Sequence, residues 1–297
     1  MPISYRQRQL AIRPFPTAAG EVCPNITRTY RRTDIAHALP PPPVKNETNT
    51  SAEIPATSQW AAQTFGINLS EKQTQLVDSD SKYLMACFNR QGGKTTAAAI
   101  KALHRCLHYP GHIIVVISRS LEQAGILIQV FSDMAVRLGY RIRRVLGNRH
   151  SFALPNGSQI RAVAHNEDTS AGRTANVLIV DEAARVWDKV YTTVSAFVSR
   201  SHGSLWLLST PKGQTGFFYN YWHNKDESWQ RIFSNVDECP DLDPEYLRIQ
   251  KLADPITYAQ DFECKFIQPG GFLTTREFID QMIYTPEEER DRLPLIR

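Results

Sequence analysis

Long hydrophobic runs and paired cysteines are both missing from this sequence. No apolar stretch approaches the ~20 residues that a membrane-spanning helix needs, and the N-terminus MPISYRQRQL lacks the apolar core of a signal peptide. The five cysteines are odd in number and form no CxxC pair, which argues against a disulfide framework and a cysteine-based zinc site. We therefore expect an intracellular protein with no membrane segment and with reduced, mostly buried thiols.

A strong excess of one charge is also absent. The 297 residues carry a net charge of +4, and 42% of them are apolar and 22% charged, as in ordinary folded proteins. A mildly basic charge is compatible with a polyanionic partner but does not by itself indicate one. No internal repeat is visible, so the length favours one large core with a smaller appendage.

Three regions differ in composition. Residues 1–60 contain the Pro-rich run LPPPPV and few large apolar residues, which predicts an extended or disordered arm. Globular patterning begins near Trp60 and predicts a core over residues 61–235. Two Asp-Pro helix starts then predict a small helical subdomain over residues 236–297.

The core alternates apolar β-type runs with helical stretches. Near-continuous apolar strands separated by helices indicate a parallel sheet that is covered on both faces. Asn156-Gly157 is a hairpin turn signal between alternating residues, so a β-hairpin insertion is predicted there. The four predicted strands of the frame lie at residues 83–88, 112–118, 177–180 and 205–209.

The segment FNRQGGKT, residues 88–95, is typical of a triphosphate-binding loop. A strand ends in a polar turn that delivers Lys94 and Thr95 to the start of a helix. Backbone N–H groups there face an anion, the lysine neutralises the outer phosphates, and the threonine hydroxyl reaches Mg²⁺. The GxxxxGK[ST] pattern asks for glycine where this chain has Phe88, so the loop alone leaves a chance match open.

Two later segments carry polar groups at strand ends. VLIVDEAA places Asp181 and Glu182 after a buried strand, as a metal ligand and an activator of the attacking water. The alternative is a helix start that favours acidic residues. LWLLSTPKGQTGFFY places Ser209 and Thr210 at a strand tip, where hydroxyls can sense a γ-phosphate, although a plain turn explains them too.

The order and form of these motifs resemble the large terminase subunit of tailed bacteriophages, the ATPase that drives DNA into a preformed capsid. NRQGGKT stands as a glycine-poor Walker A loop, VLIVDEA as Walker B and STPKGQTGFFY as the coupling motif. The resemblance covers about Leu69 to Gln268. It implies an α/β P-loop NTPase of the additional-strand, RecA-like type, with a mostly parallel sheet, helices on both faces and a small C-terminal helical linker subdomain.

The resemblance also implies roles for further residues. Gln73 sits where these motors have a glutamine that reads adenine, with Gln75 as a competing choice. Arg90 would hold phosphates or switch with Lys94, and Arg173 precedes Walker B where some relatives place an arginine that completes a neighbouring site. The predicted nucleotide contacts are Gln73, Arg90, Gln91, Gly92, Gly93, Lys94, Thr95, Thr96, Ser209 and Thr210, the metal ligands Thr95 and Asp181, and the catalytic residues Glu182 and Arg173.

The resemblance thus implies a Mg²⁺-dependent ATPase that moves double-stranded DNA during viral genome packaging. The implied cofactors are ATP and Mg²⁺, and the implied partners are DNA, a capsid portal protein, a small terminase subunit and further copies in a ring, in the cytoplasm of a bacterial host. The alternatives are a helicase-like DNA translocase and a nucleotide-binding assembly module without turnover. Substituting Glu182 separates a motor from an assembly module, because only a motor has turnover to lose.

Two charged tracts have a less specific meaning. An arginine-rich, acid-free tract suits contact with a phosphate backbone, although a solvated face explains it as well; it comprises Arg137, Arg141, Arg143, Arg144, Arg149 and Arg161. The acidic residues from Asp237 to Asp243 are interpreted as turn and cap chemistry. Fewer than 40 residues follow Cys264, so no nuclease domain is expected in this chain.

Overall fold

A computed structural model describes residues 54–145, 150–163, 174–239 and 241–268 of the protein. Within these ranges the chain forms a single mixed sheet flanked by helices. Its strands are β1 (Tyr83–Phe88), β2 (Ile113–Ile117), β3 (Arg143–Arg144), β4 (Ser151–Ala153), β5 (Gln159–Ala162), β6 (Val177–Asp181), β7 (Ser204–Ser209) and β8 (Trp229–Ser234). The helices are α1 (Thr57–Phe65), α2 (Glu71–Asp78), α3 (Lys94–His108), α4 (Leu121–Arg137), α5 (Asp188–Ser195), α6 (Gly216–His223), α7 (Pro244–Ala253) and α8 (Pro255–Asp261).

The strand order is β3-β4-β5-β2-β6-β7-β1-β8. All pairs from β5 to β8 in this order are parallel, and the pairs at the β3 end are antiparallel. Strand β7 lies between β1 and β6, so the strand that ends in Ser209 separates the strand before the polar turn from the strand that ends in Asp181. This extra strand confirms the predicted additional-strand α/β fold.

The predicted hairpin is present. Strands β4 and β5 pair antiparallel, and Gly157 between them has a φ of 86°, a left-handed conformation that glycine adopts without a Cβ penalty. Strand β5 also pairs parallel with β2, so the insertion extends the central sheet. The two-residue edge strand β3 was not predicted, because its arginines carry no apolar pattern.

Two apolar layers cover the faces of the sheet, as the continuous apolar strands predict. Alternate strand residues point to opposite faces. Leu84 and Ala86 of β1 belong to one layer, which is shared with α1 to α4, whereas Met85 and Cys87 belong to the other layer, which includes residues of α5 and α6. The ends of the strands remain at the rims of the sheet, so polar residues that follow the parallel strands meet at one edge.

Helix starts follow the local signals in the sequence. Ser70 caps α2 in a reciprocal capping box with Gln73, and Asp243 and Asp254 cap α7 and α8 ahead of prolines. Helix α1 begins at Thr57, ahead of the predicted arm boundary at residue 60, and its Trp60 packs against the rings of Phe65 and His104. The acidic cluster supplies caps as interpreted, with Asn235 and Glu238 forming a second capping box.

The remaining sequence expectations concern cysteines and membrane segments. The described cysteines are free thiols, with Cys87, Cys106 and Cys264 buried and Cys239 half-buried. In the described ranges, no helix combines the length and the apolar character needed to cross a bilayer. Residues 1–53, which include most of the predicted arm, lie outside the described part of the chain.

Candidate functional site

The turn between β1 and α3 is built from residues that tolerate an unusual backbone. Gln91 and Gly93 have φ values of 63° and 76°, both in the left-handed region. A Cβ on Gly92 would lie 2.6 Å from Oδ1 of Asn89, and one on Gly93 would collide with the side-chain amide of Gln73. A side chain at Gly92 or Gly93 would thus displace Asn89 or Gln73, and the left-handed backbone of Gly93 further favours glycine there. The turn ends where α3 begins at Lys94.

Phe88 explains the departure from the usual glycine-rich pattern. It is the last residue of β1, is fully buried and belongs to the apolar layer beneath α3. The chain leaves the sheet only at Asn89, whose N–H donates to the carbonyl of Ser234 on β8. The missing glycine thus falls inside the strand, and the turn proper still contains two glycines.

Polar side chains from three distant segments meet at the carboxyl edge of β1, β6 and β7. The Nζ of Lys94 lies 2.9 Å from Oε1 of Glu182 and 3.5 Å from Oγ1 of Thr210. The hydroxyl of Thr95 donates to Oδ2 of Asp181 over 3.3 Å. Lys94, Asp181 and Thr210 are buried, so these charges and hydroxyls interact in surroundings that screen them weakly.

Asp181 is held in an environment that disfavours its charge. The residue is only 4% exposed, and burial raises the pKa of its carboxyl to about 6. The neighbouring Glu182 carboxylate also raises this pKa, while the Lys94 ammonium and the hydrogen bond from Thr95 oppose the rise. A buried carboxylate of this kind gains stability when a cation arrives.

Glu182 combines a strained backbone with a fully engaged side chain. Its φ of 53° and ψ of 41° are left-handed, which costs a non-glycine residue roughly 1–2 kcal/mol. Its Oε1 accepts from Lys94 and its Oε2 from Arg185 at 2.8 Å. In folded proteins, residues whose strained backbone is held by surrounding contacts occur mainly at functional sites.

The two hydroxyls at the end of β7 have different surroundings. Ser209 is fully buried, donates to the carbonyl of Thr210 over 2.7 Å and accepts from the N–H of Ala184 over 3.1 Å. Its hydroxyl therefore ties β7 to the turn after β6. The hydroxyl of Thr210 is the one that faces Lys94.

The structure distinguishes the two candidate glutamines. The side chain of Gln73 donates to the carbonyl of Gly92 over 3.1 Å and lies against Gly93. Gln75 is exposed and donates to Glu71 within its own helix. Of the two, only Gln73 borders the turn.

Arg90 and Arg185 converge on one buried carboxylate that sequence reasoning missed. Asp261, the last residue of α8, is 5% exposed, and its Oδ2 accepts from Arg90 over 3.0 Å. Its carbonyl accepts from the Arg90 N–H over 2.7 Å, and its Oδ1 lies 3.7 Å from Nη2 of Arg185. The side chain of Arg90 therefore contacts the C-terminal helices as well as belonging to the turn.

The other predicted site residues have less defined positions. Gln91 and Thr96 are exposed on the turn and on the first turn of α3. Arg173 and Arg149 lie outside the described residues. Of the arginine-rich tract, Arg137, Arg141, Arg143 and Arg144 are exposed around the β3 edge, and Arg161 is half-buried against Gln159.

The donor set at the site fits Mg²⁺. Thr95 and Asp181 supply a hydroxyl and a carboxylate, both hard oxygen ligands, and the burial that raises the pKa of Asp181 disfavours its charge without a cation nearby. The described residues contain no cluster of three or more His, Cys, Asp or Glu that would cage a metal. Mg²⁺ is commonly held by one or two protein oxygens together with substrate phosphates.

Three features define this protein as a P-loop NTPase domain of the additional-strand type. They are a turn that leads into a helix N-terminus, a buried lysine followed by a threonine, and two carboxylates at the end of a parallel strand. The protein-family model for the N-terminal region of the T4likevirus-type terminase large subunit matches residues 85–281 of this chain. The chain therefore belongs to this family of terminase large subunits.

Individual relatives are distant. The probable terminase large subunit of enterobacteria phage P7 is 24% identical over 213 residues, which are 64% of this chain and 43% of the relative. The chain spans about half the length, or less, of the curated phage relatives that it matches.

Solved structures share the fold. The ATPase domain of the Thermus phage P74-26 large terminase matches with a TM-score of 0.61 and 20% identity, covering 71% of this chain and 99% of that domain. The large terminase of another thermophilic bacteriophage, in complex with ATP-gamma-S, matches with a TM-score of 0.57 and 15% identity, over 67% of this chain and 53% of that one. The predicted fold and family are thus confirmed.

The raised pKa of Asp181 gives a direct test of the site. Carboxyl-carbon NMR should follow a titration with a midpoint near pH 6, because burial favours the protonated form of this acid. The signal is assigned by its loss in D181N. Addition of Mg²⁺ with a non-hydrolysable ATP analogue should move the midpoint to lower pH, since a cation favours the ionised form. A midpoint at the ordinary value of a solvated aspartate, without ligand, would contradict the buried environment described here.

Proposed function

We propose that this chain is the ATPase motor domain of a viral DNA-packaging machine, hydrolysing ATP to translocate double-stranded DNA. One observation carries the proposal: Lys94 at the start of α3 lies within hydrogen-bonding distance of both Glu182 after β6 and Thr210 after β7. These residues come from the three segments that the terminase resemblance singles out. Family membership supports the packaging role, and the solved relatives include a complex with ATP-gamma-S.

The triphosphate would lie across the turn and the N-terminus of α3. The backbone N–H groups of the turn and the helix dipole favour the anion, and Lys94 neutralises the outer phosphates. Gln73, which donates to the carbonyl of Gly92 in the turn, would contact the adenine base. Thr95 and Asp181 would hold Mg²⁺, which when bound offsets the negative charge of the β- and γ-phosphates.

Hydrolysis then needs a base for water. The water oxygen attacks the γ-phosphorus, the bond from that phosphorus to the oxygen of ADP breaks, and the water proton passes to Glu182, which leaves ADP and inorganic phosphate. In the structure, the ammonium of Lys94 pairs with Oε1 of Glu182. Phosphate binding would draw Lys94 away and free this oxygen to receive the proton.

The DNA-handling role is supported by the charge distribution. Exposed arginines at the end of α4 and along β3 line one edge of the sheet and suit contact with a phosphate backbone, without reading sequence. Thr210 links the nucleotide pocket to the loop and helix after β7, so it would report the γ-phosphate state. Arg173 would complete the site of a neighbouring copy in a ring, and the portal protein and small terminase subunit would be further partners.

The decisive experiment separates a motor from an assembly module. Phosphate release is measured from ATP and Mg²⁺ with the full 297-residue chain, with and without linear duplex DNA, alongside displacement of a third DNA strand. A motor releases phosphate, accelerates with DNA and displaces the strand. ATP binding without phosphate release at any protein concentration would contradict the proposal and favour a nucleotide-binding assembly module.

A further inference from the structure

We infer that Arg185 is a positioning residue for Glu182, which holds one oxygen of the base and links its orientation to helix α8. This inference rests on the proposed ATPase function. Arg185 lies in the short helical turn that follows Glu182, and its side chain is 22% exposed. Its Nη1 donates to Oε2 of Glu182 over 2.8 Å and approaches the carbonyl of Thr210 at 3.4 Å.

The two oxygens of Glu182 have different partners, and this difference defines the role. Oε1 accepts from Lys94, a residue that the incoming phosphates attract, whereas Oε2 accepts from Arg185. When Lys94 turns to the phosphates, Oε1 becomes available to water and Oε2 stays anchored. A base that is anchored through one oxygen keeps the other in a fixed direction, which a proton transfer in the transition state requires.

The backbone after Glu182 brings Arg185 close to the carboxylate. The left-handed conformation of Glu182 is followed by a turn in which Arg185 N–H donates to the Glu182 carbonyl over 2.8 Å. The same two residues are therefore joined by a main-chain and a side-chain hydrogen bond. Arg185 fixes the turn and the carboxylate together.

Arg185 also connects the base to the C-terminal helices. Its Nη2 lies 3.7 Å from Oδ1 of Asp261, a buried oxygen that has no hydrogen-bond donor among the described residues. A buried carboxylate oxygen without a donor favours the approach of a guanidinium. A movement of α8 would therefore change how tightly Arg185 is held, and with it the orientation of Glu182.

The test compares R185M and R185K with a matched control. R185M keeps the length of the side chain but removes the donor, and we expect kcat for ATP to fall about 10- to 100-fold with KM within about threefold of the wild type. R185K should recover part of the loss, because it retains the charge but not the planar fork. The control is R248M, because Arg248 pairs with Glu245 at the same three-residue spacing on the surface of α7.

A double-mutant cycle shows whether Arg185 acts through Glu182. In an E182Q background, R185M should lower the residual rate by less than about twofold, since the group that it positions is gone. Melting temperatures identify any variant that fails to fold, and R185Q then replaces R185M. A full tenfold loss in the E182Q background, or R185M rates equal to R248M rates, would overturn the inference.

Failure of the two proposals looks different. A wild-type chain that does not hydrolyse ATP would overturn the proposed function, and the role of Arg185 in turnover with it. A wild-type chain that hydrolyses ATP at the same rate as R185M would overturn only the role of Arg185. Loss of ATP affinity in R185M with unchanged kcat would also overturn it, because that result assigns Arg185 to ground-state binding.

Discussion

Replacing Glu182 with glutamine should lower kcat for ATP hydrolysis by about 10²- to 10⁴-fold, the range that a general base contributes. Glutamine has the same shape but cannot accept the proton from water. ATP affinity should change by less than about threefold, because Glu182 pairs with Lys94 and Arg185 and is not proposed to contact the nucleotide itself. Its proposed partner in the reaction is the attacking water. Phosphate release and equilibrium binding of a fluorescent ATP analogue give the two quantities.

The matched control for this variant is E245Q. Glu245 also accepts from an arginine three residues later, but both side chains are 61% exposed on α7. Loss of that surface pair is expected to cost little, and turnover should remain at the wild-type level. An E182Q chain that still hydrolyses ATP at the wild-type rate would remove Glu182 from the reaction. Loss of turnover together with loss of ATP binding would instead assign Glu182 to the binding site.

Replacing Lys94 with methionine should weaken ATP binding roughly 10- to 100-fold and abolish measurable turnover, because hydrogen bonds to charged groups are worth about 1.5–3 kcal/mol and about 1.4 kcal/mol corresponds to a factor of ten in affinity. The lysine side chain is only 10% exposed, so its interaction with a phosphate is little screened by water. Calorimetric titration with an ATP analogue measures the change.

The control for Lys94 is K251M. Lys251 lies on α7, is 61% exposed and pairs with Glu263 over 3.2 Å. The K251M variant should bind ATP as the wild type does. Equal ATP affinities for K94M and wild type would show that the turn before α3 does not hold the triphosphate.

Four strands of the sheet were predictable because they are nearly continuous apolar runs, namely β1, β2, β6 and β7. β1 has the predicted bounds, and the buried strand before the acidic pair extends one residue further, to Asp181. β3 could not be predicted, since two exposed arginines form a strand only by pairing with β4. The sequence shows that Phe88 replaces a glycine of the usual pattern but does not explain the replacement. The structure explains it, because Phe88 belongs to the buried strand before the turn.

The site was predictable where its residues follow a local pattern. Lys94, Thr95, Asp181 and Glu182 follow strand ends, and parallel strands bring those ends to one edge. Asp261 and Arg90 are 171 positions apart in sequence, and no periodicity indicates that they meet. For Arg185, the three-residue spacing from Glu182 is only a weak indication that the two side chains meet. Their hydrogen bond depends on a tight turn that the sequence does not reveal.

The roles of Ser209 and Gln75 also depend on orientation, which sequence leaves open. Both were reasonable candidates by position. The hydroxyl of Ser209 accepts from the N–H of Ala184 and donates to the carbonyl of Thr210, so it bonds only to backbone. The side-chain amide of Gln75 donates to Glu71 within α2. Thr210 and Gln73 are the neighbours that border the turn, through Lys94 and Gly92.

The most direct measurement is a crystal structure of the chain with Mg²⁺ and a non-hydrolysable ATP analogue. We expect the γ-phosphate next to Lys94, the metal between Thr95 and Asp181, and a water within hydrogen-bonding distance of the Glu182 oxygen that Lys94 has left. A nucleotide bound elsewhere, with Lys94 still paired to Glu182, would contradict the account.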